Sequence, residues 1–222
     1  DALTGTVYQS DLYDGTVFDP LNFFQRNTQP DDWLAMFVTS WGQIFLSGPK
    51  TRDYYYFTGV GTTPFAAAQS GVQPEGIAAT FSVCEANGEL VWLMQTDQGG
   101  LRVMSAVGYK GKRISNHAME NEISSYVRYD DAIGQSYEDD GHPFYLLKFP
   151  SANVTWCFDF STGIWHKRLT LTDDGTYEAW RMTYHCFAFN MHLWLDANTE
   201  FAYQSSVYFP YDVEEKLIRR ER

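Results

Sequence analysis

The sequence predicts an all-β chain made of β-propeller-like repeats of antiparallel sheets, with one short inserted helix. Three observations carry this reading. Of the 222 residues 17% are aromatic, and 17 Gly and 8 Pro supply turn positions. Aromatic and β-branched side chains suit a pleated, half-buried surface. A strand-turn-strand pattern recurs around Gly42, Gly88, Asn153 and Asn190, at intervals of 46, 65 and 37 residues. Intervals of about 40–50 residues fit propeller blades. One such unit cannot bury both of its apolar faces, so it needs copies of itself on either side.

Each element follows from local signals. Gly5 to Phe18 reads as the remnant of a fifth blade. Trp33 to Phe37 and then Gly42 to Leu46 form the first clear hairpin. Thr58 to Gly76, rich in Gly, Thr, Ala and Gln, is the expected long loop. Ala79 to Val83 and then Gly88 to Met94 form the second hairpin. The wide interval that follows holds the best helix candidate, Ile114 to Val127, with its helical core near His117 to Val127. Ser115 is the expected N-cap, and Ile114 and Met119 are placed as a hydrophobic staple. Glu120 and Glu122 near its start suit the helix dipole.

The third hairpin is the most informative. Phe144 to Leu147 is a compact apolar strand, Phe149 to Asn153 punctuates it, and Val154 to Phe158 returns. Asp159-Phe160-Ser161-Thr162-Gly163-Ile164-Trp165 ends it and resembles the blade-closing turn of kelch-like propellers. Asp159 is expected to accept backbone N–H groups across Ser161 to Gly163. Trp165 is expected to be largely buried between neighbouring sheets. Asp159, Gly163 and Trp165 are thus assigned a structural role. Met182 to Phe189 and then Asn190 to Asp196 form the fourth hairpin. Blade cores are expected at Ile44-Phe45, Val91-Trp92-Leu93, Tyr145-Leu146, Trp156 to Phe158 and Leu193-Trp194. The tail Glu214 to Arg222 alternates in charge sign and reads as a short helix or frayed end. Residues 1–222 are expected to form a single propeller-like domain or a central portion of a larger propeller.

The formal net charge is −12 and the pI near 4.7. That balance argues against tight nucleic-acid binding, which needs clustered Lys and Arg to displace counterions. No stretch approaches the roughly 20 apolar residues of a membrane-spanning helix. The chain begins at Asp1 without an initiator Met, which points to a processed or partial product. Cys84, Cys157 and Cys186 lie in apolar patterns without CxxC spacing and are expected to be buried, reduced thiols. Asn153-Val154-Thr155 is a formal glycosylation sequon but is read as a hairpin turn.

No catalytic constellation emerges. Asp130, Asp131, Glu138, Asp139 and Asp140 form the densest acidic group, expected in one loop. They are better suited to a solvated face, a partner contact or a channel-facing rim than to paired glycosidic acids. His185 and His192 lie on the two strands of one hairpin without accompanying metal-ligand spacing, so no metal and no cofactor are expected.

Several runs share one likeness. They are Arg113 to Glu120, Asp130-Asp131-Ala132, Gly141 to Tyr145, Phe149 to Ala152, Thr155 to Asp159 and Gly163 to Arg168. Together they resemble the packaged-DNA stabilisation proteins of short-tailed bacteriophages, the tail hub or head-completion family. Asn116 stands where the family pattern has Thr, and Phe158 where it has Tyr. Phe18-Asp19 to Gly59 also fits the pattern upstream. The likeness spans Phe18 to Arg168, about two-thirds of the chain.

The resemblance implies a non-enzymatic virion protein of the phage tail, assembled in the host cytoplasm. It implies a β-propeller placed in a homo-oligomeric ring beneath the portal and adaptor. Such a hub closes the capsid after packaging and anchors other tail proteins, while packaged DNA passes without sequence-specific binding. An acidic lining suits rapid DNA exit on physical grounds. The reading set against it is a carbohydrate-binding or carbohydrate-cleaving propeller, marked by an aromatic-floored pocket with convergent carboxylates.

Overall fold

The computed structural model describes residues 4–11, 13–25, 31–61, 64–69, 71–196, 199 and 201–206. The Glu214 to Arg222 tail lies outside the described residues. The described chain is all-β, with four antiparallel blades arranged as a propeller and one short α-helix.

A two-stranded sheet comes first, β1 (Thr6–Tyr8) against β2 (Phe23–Gln25). The first blade is β3 (Ala35–Val38), β4 (Gln43–Ser47), β5 (Arg52–Phe57) and β6 (Phe65–Ala67). The second is β7 (Cys84–Ala86), β8 (Glu89–Gln95), β9 (Leu101–Val107) and β10 (Lys110–Arg113). The helix α1 (His117–Ser124) follows. The third blade has five strands: β11 (Ile133–Asp139), β12 (His142–Phe149), β13 (Val154–Asp159), β14 (Ile164–Leu171) and β15 (Tyr177–Ala179). The last has β16 (Met182–Ala188), β17 (Met191–Asp196) and β18 (Ala202–Ser205). Within every sheet the strands are ordered as in sequence and pair antiparallel.

The four turn residues singled out from the pattern all adopt left-handed backbone. Gly42 has φ +78°, Gly88 +69°, Asn153 +53° and Asn190 +60°. Gly and Asn enter this region at least cost. Asn87-Gly88 and Asp140-Gly141 are paired left-handed residues joining two-residue hairpins.

That hairpin geometry explains one correction. The strand expected over Ala79 to Val83 is instead a 3-10 turn at Thr80–Ser82, and the paired strand is Cys84–Ala86. With Asn87-Gly88 as the whole loop, Ala86 must pair with Glu89, which draws the strand towards the turn. The Ser82 hydroxyl donates to the Ala79 carbonyl (2.7 Å) and accepts from the Leu93 amide (3.1 Å), which fixes the bend. The Thr58 to Gly76 segment is not all loop, because Phe65–Ala67 adds an edge strand.

The core is a series of seams between successive sheets. Val7 and Phe24 pack on Trp33, Leu46 and Tyr55. Phe45 and Tyr54 meet Leu90, Trp92 and Met104. Val91, Leu93 and Val103 meet Tyr145, Leu147, Trp156 and Phe158. Leu146, Cys157 and Tyr137 meet Met182 and Trp194. Neighbouring residues of one strand therefore serve opposite seams, as the two-residue period of a strand requires. Of the expected blade cores, Phe45, Val91, Trp92, Leu93, Tyr145 and Trp194 are at most 1% exposed, while Ile44 and Leu193 are half-buried. Cys157 is buried and Cys84 half-buried, their thiols raised to about 11 and about 12 by burial above all. Cys186 departs from expectation: it is exposed, because no sheet among the described residues covers its face of β16.

Polar links tie the first strands together. The Ser136 hydroxyl of β11 donates to the Glu85 carbonyl of β7 (2.6 Å), and the Gln135 amide donates to the Thr183 carbonyl of β16. The Ser40 amide donates to the Glu85 carboxylate (2.8 Å). Arg52 is wholly buried between the first and second blades. Its guanidinium lies 4.7 Å from the Trp92 ring and donates to Glu75, Tyr54 Oη and the Tyr109 carbonyl, each at 2.8 Å.

The helix begins at His117, as expected, but with a different cap. Asn116, not Ser115, is the N-cap, and its side chain accepts from the Met119 amide (2.9 Å). Ser115 is occupied elsewhere: its hydroxyl donates to Glu120 and accepts from the Val103 amide. The helix stops at Ser124, short of Val127, where the Ser125 hydroxyl donates to the Glu122 carbonyl. Met119 and Ile123 enter the seam between the second and third blades.

The tightest seam contact is at Gly134, where an added Cβ would stand 2.1 Å from the Ser82 carbonyl oxygen. Gly134 is held in β11 and Ser82 in the 3-10 turn fixed to Leu93 of β8, so neither backbone yields cheaply. Gly134→Ala is expected to destabilise the fold by about 1–3 kcal/mol or more through overpacking. Urea unfolding measures it, and an unchanged midpoint would contradict this approach of the two blades.

Candidate functional site

At the turn singled out from sequence, the Asp159 carboxylate takes one backbone N–H rather than several. Asp159 Oδ1 accepts from the Ser161 amide (2.8 Å), and Oδ2 accepts from the Thr162 hydroxyl (3.0 Å). The Gly163 amide donates to the Asp159 carbonyl (2.8 Å), and Gly163 sits at φ +70°. His142 Nδ1 lies 3.1 Å from Asp159 Oδ2 and joins the turn to the start of β12. Burial alone would raise the Asp159 carboxyl. The Ser161 amide, His142 and the Thr162 hydroxyl outweigh it and hold the group below its ordinary value.

Trp165 is half-buried rather than largely buried. It stands at the rim of the seam, against Phe158 at 5.0 Å between ring centroids, and its indole N–H donates to the Ile114 carbonyl (2.8 Å).

The other motif residues gather around the same seam. Arg113 grips Glu120 with two bonds, of 2.6 and 2.7 Å, tying the end of β10 to the first turn of α1. Lys167 Nζ lies 2.6 Å from Glu122 and 5.1 Å from the Trp156 ring. Trp156 Nε1 donates to Tyr126 Oη (3.2 Å), which donates to Glu122 (2.9 Å). Arg168 reaches the opposite seam and stacks over Tyr137, Phe144 and Trp180. Sequence reading missed this network, although its runs contain every member except Glu122, Tyr126, Tyr137 and Trp180. The runs lie far apart in sequence, and only the fold shows that they meet.

The five acidic candidates do not lie in one loop. They stand at opposite ends of a seven-residue strand, β11. The alternation in Ile133 to Asp139 reads as a half-buried strand once Gly134 and Tyr137 are seen to face neighbouring blades. At one end, Asp130 pairs with Arg128 (2.7 Å), and Asp131 accepts from the Ser151 amide (2.8 Å). At the other, Glu138 and Asp140 are exposed, and Asp139 Oδ1 is 3.9 Å from His192 Nε2. Among the described residues, no group of three or more His, Cys, Asp or Glu is placed to hold a metal ion. No described helix is long and apolar enough to cross a membrane.

Two clefts among the described residues bear on a ligand-binding reading. One, of about 370 Å³ between the third and fourth blades, is lined by Lys148, Arg181, Asp196, Glu178 and several Thr side chains. The other, of about 360 Å³, is aromatic, with Phe24, Tyr54, Tyr55 and Phe65, and has Asp53 as its carboxylate. Neither joins an aromatic floor to convergent carboxylates.

Trp165→Ala is expected to cost about 2–3 kcal/mol, below the ~3–5 kcal/mol of a fully enclosed Trp. Denaturant titration measures this, and an unaltered midpoint removes the blade-closing role. Asp159 has a depressed folded pKa, so its stabilising contribution is complete above the unfolded value of about 3.9 and is lost as pH falls through the folded value. Asp159→Asn is expected to lower stability at pH 7 and to flatten the acid limb of the stability curve.

No curated protein matches the chain. A family model does: Phage_stabilise, described as Bacteriophage P22 Gp10, beta-propeller, matches residues 3–204. The match covers almost all the described blades and every motif run that meets at the seam. The chain therefore belongs to this family of phage structural β-propeller proteins.

Proposed function

We propose that this protein is a tail-hub component that closes the capsid after DNA packaging and anchors other tail proteins. The observation that carries the reading is the family match over residues 3–204, in a chain whose motif residues build blade seams. In this role residues 1–222 act, without catalysis, as a single propeller-like domain or a central portion of a larger propeller, inside a homo-oligomeric ring next to the portal and adaptor. The net charge of −12 supports passage of DNA without retention, since like charge repels phosphate. Partner contacts fall on loops, blade edges and the uncovered face of the fourth blade, because the other described blade faces are packed on neighbouring sheets. Asp130 and Asp131 at one end of β11, and Glu138, Asp139 and Asp140 at the other, are the proposed polar contacts.

Their positions call for two variants rather than one. Asp130→Asn with Asp131→Asn, and Glu138→Gln with Asp139→Asn and Asp140→Asn, are each expected to fold. The exposed carboxylates Asp130, Glu138 and Asp140 contribute about 0–1 kcal/mol apiece, and the half-buried Asp131 and Asp139 sit at the ends of β11, where Asn retains an acceptor. At least one variant is expected to impair particle assembly or slow DNA release in reconstituted tails. Normal particles with normal release from both would remove these residues from the function. Cleavage of a polysaccharide by the wild-type protein, lost in either variant, would replace the structural reading with a carbohydrate-active one.

A further inference from the structure

The cleft between the third and fourth blades holds a lysine whose charge the chain compensates only in part. Lys148 lies on the face of β12 that carries Phe144 and Leu146 into this seam. Its Nζ donates across the seam to the Thr183 hydroxyl of β16 (2.7 Å) and to the Arg181 carbonyl just before that strand (3.5 Å). Two of its three N–H groups are used in this way, and the third is left for another acceptor. Among the described residues no carboxylate stands within ion-pair distance of this ammonium. Burial above all lowers the Lys148 pKa, and Asp196 offsets this only in part. A half-buried charge without full compensation is costly, and an anion beside it offsets that cost.

The two carboxylates of the cleft do not supply that anion. Asp196 is 1% exposed, accepts from the Thr199 hydroxyl (2.9 Å) and lies 3.8 Å from Arg181 Nε. Glu178 is exposed, and water satisfies it. The walls therefore present to a guest the Lys148 ammonium, the half-buried Arg181 beside it and the hydroxyl-bearing Thr170, Thr172 and Thr183. The volume of about 370 Å³ is more than a bare ion needs. It falls within the roughly 300–1,000 Å³ of small-molecule sites. We propose that this cleft is an oxyanion-binding site, in which Lys148 and Arg181 receive the phosphate or carboxylate group of a small polar molecule.

The walls come from different blades. Lys148 stands on the third, and Arg181 and Thr183 belong to the fourth. A ligand that bonds to both cations links the two blades, so its binding stabilises the fold in proportion to occupancy. The net charge of −12 repels anions from the surface at large, so saturable uptake of an anion has to be local. Lys148 and Arg181 lie outside the family-like runs, and the site does not depend on the proposed virion role.

Titration of the 222-residue chain with inorganic phosphate and, separately, with acetate tests the site, with chloride exchanged to hold ionic strength constant. The NMR signals of the Lys148 side chain and the Thr183 amide are expected to shift and saturate with at least one of the two anions. The melting temperature should rise in step. The anion bound more tightly identifies the ligand group as phosphate or carboxylate. Lys148→Met is expected to weaken that affinity about tenfold or more, the worth of one charge-assisted hydrogen bond. Lys110→Met, at an exposed lysine of β10, should leave it unchanged. The wild-type signals give a readout that needs no variant to fold. Lys148 shifts that never saturate with either anion, or that match those of Lys110, would overturn the site. An affinity unaltered by Lys148→Met would do the same.

Discussion

Every sheet of this protein carries apolar side chains on both faces, and this one constraint organises the rest. An antiparallel sheet ordinarily turns one face to water. Here Trp92 points into one seam while Val91 and Leu93 point into the next. Leu146 and Cys157 do the same against Tyr145, Leu147, Trp156 and Phe158. No blade is a stable object by itself, so stability is shared between neighbours. Apolar packing is non-directional and sets no lateral register. The register comes from the polar links along the first strands, Ser40 and Ser136 to Glu85 and Gln135 to Thr183, and from the backbone contact at Gly134.

The seams also explain which parts of the structure were legible in the sequence. A turn writes its signal locally, as Gly42, Gly88, Asn153 and Asn190 do, and a strand of alternating large side chains writes another. The Asp159 turn was readable for the same reason, since every partner but His142 lies within four residues. The Asp140-Gly141 turn went unread because Asp140 was grouped with its acidic neighbours. Relations between distant segments were not. Ser115 looks like a helix cap until the Val103 amide, twelve residues away, takes its hydroxyl. Asp131 and Glu138 look like one acidic loop until the residues between them prove to be a strand packed on both sides. His185 and His192 looked unrelated to a third group because Asp139 comes from another blade.

The family signature has a physical reading on this structure. Arg113 and Glu120 fasten the start of α1, Trp165 fastens the preceding carbonyl, and Trp156 and Lys167 reach the far end through Tyr126 and Glu122. The helix is thus strapped across the seam between the second and third blades, with Met119 and Ile123 sealing it. Arg168 performs a related task on the other face of the same blade. Several of these are charged side chains placed among aromatic rings, where a planar guanidinium both stacks and donates.

This changes what family membership says about activity. The residues that make the chain recognisable are turned towards other parts of the chain and are consumed in holding blades together. They leave little chemistry to offer a ligand or a partner. The side chains that no seam requires stand at the surface instead: the exposed carboxylates Asp130, Glu138 and Asp140, and apolar groups such as Tyr184 and Leu195 on the uncovered face of the fourth blade. A protein built this way has a shared scaffold and a separable surface. Substitutions at the seams act through stability, whereas substitutions of well-exposed surface groups leave stability nearly unchanged, so the two classes are distinguishable.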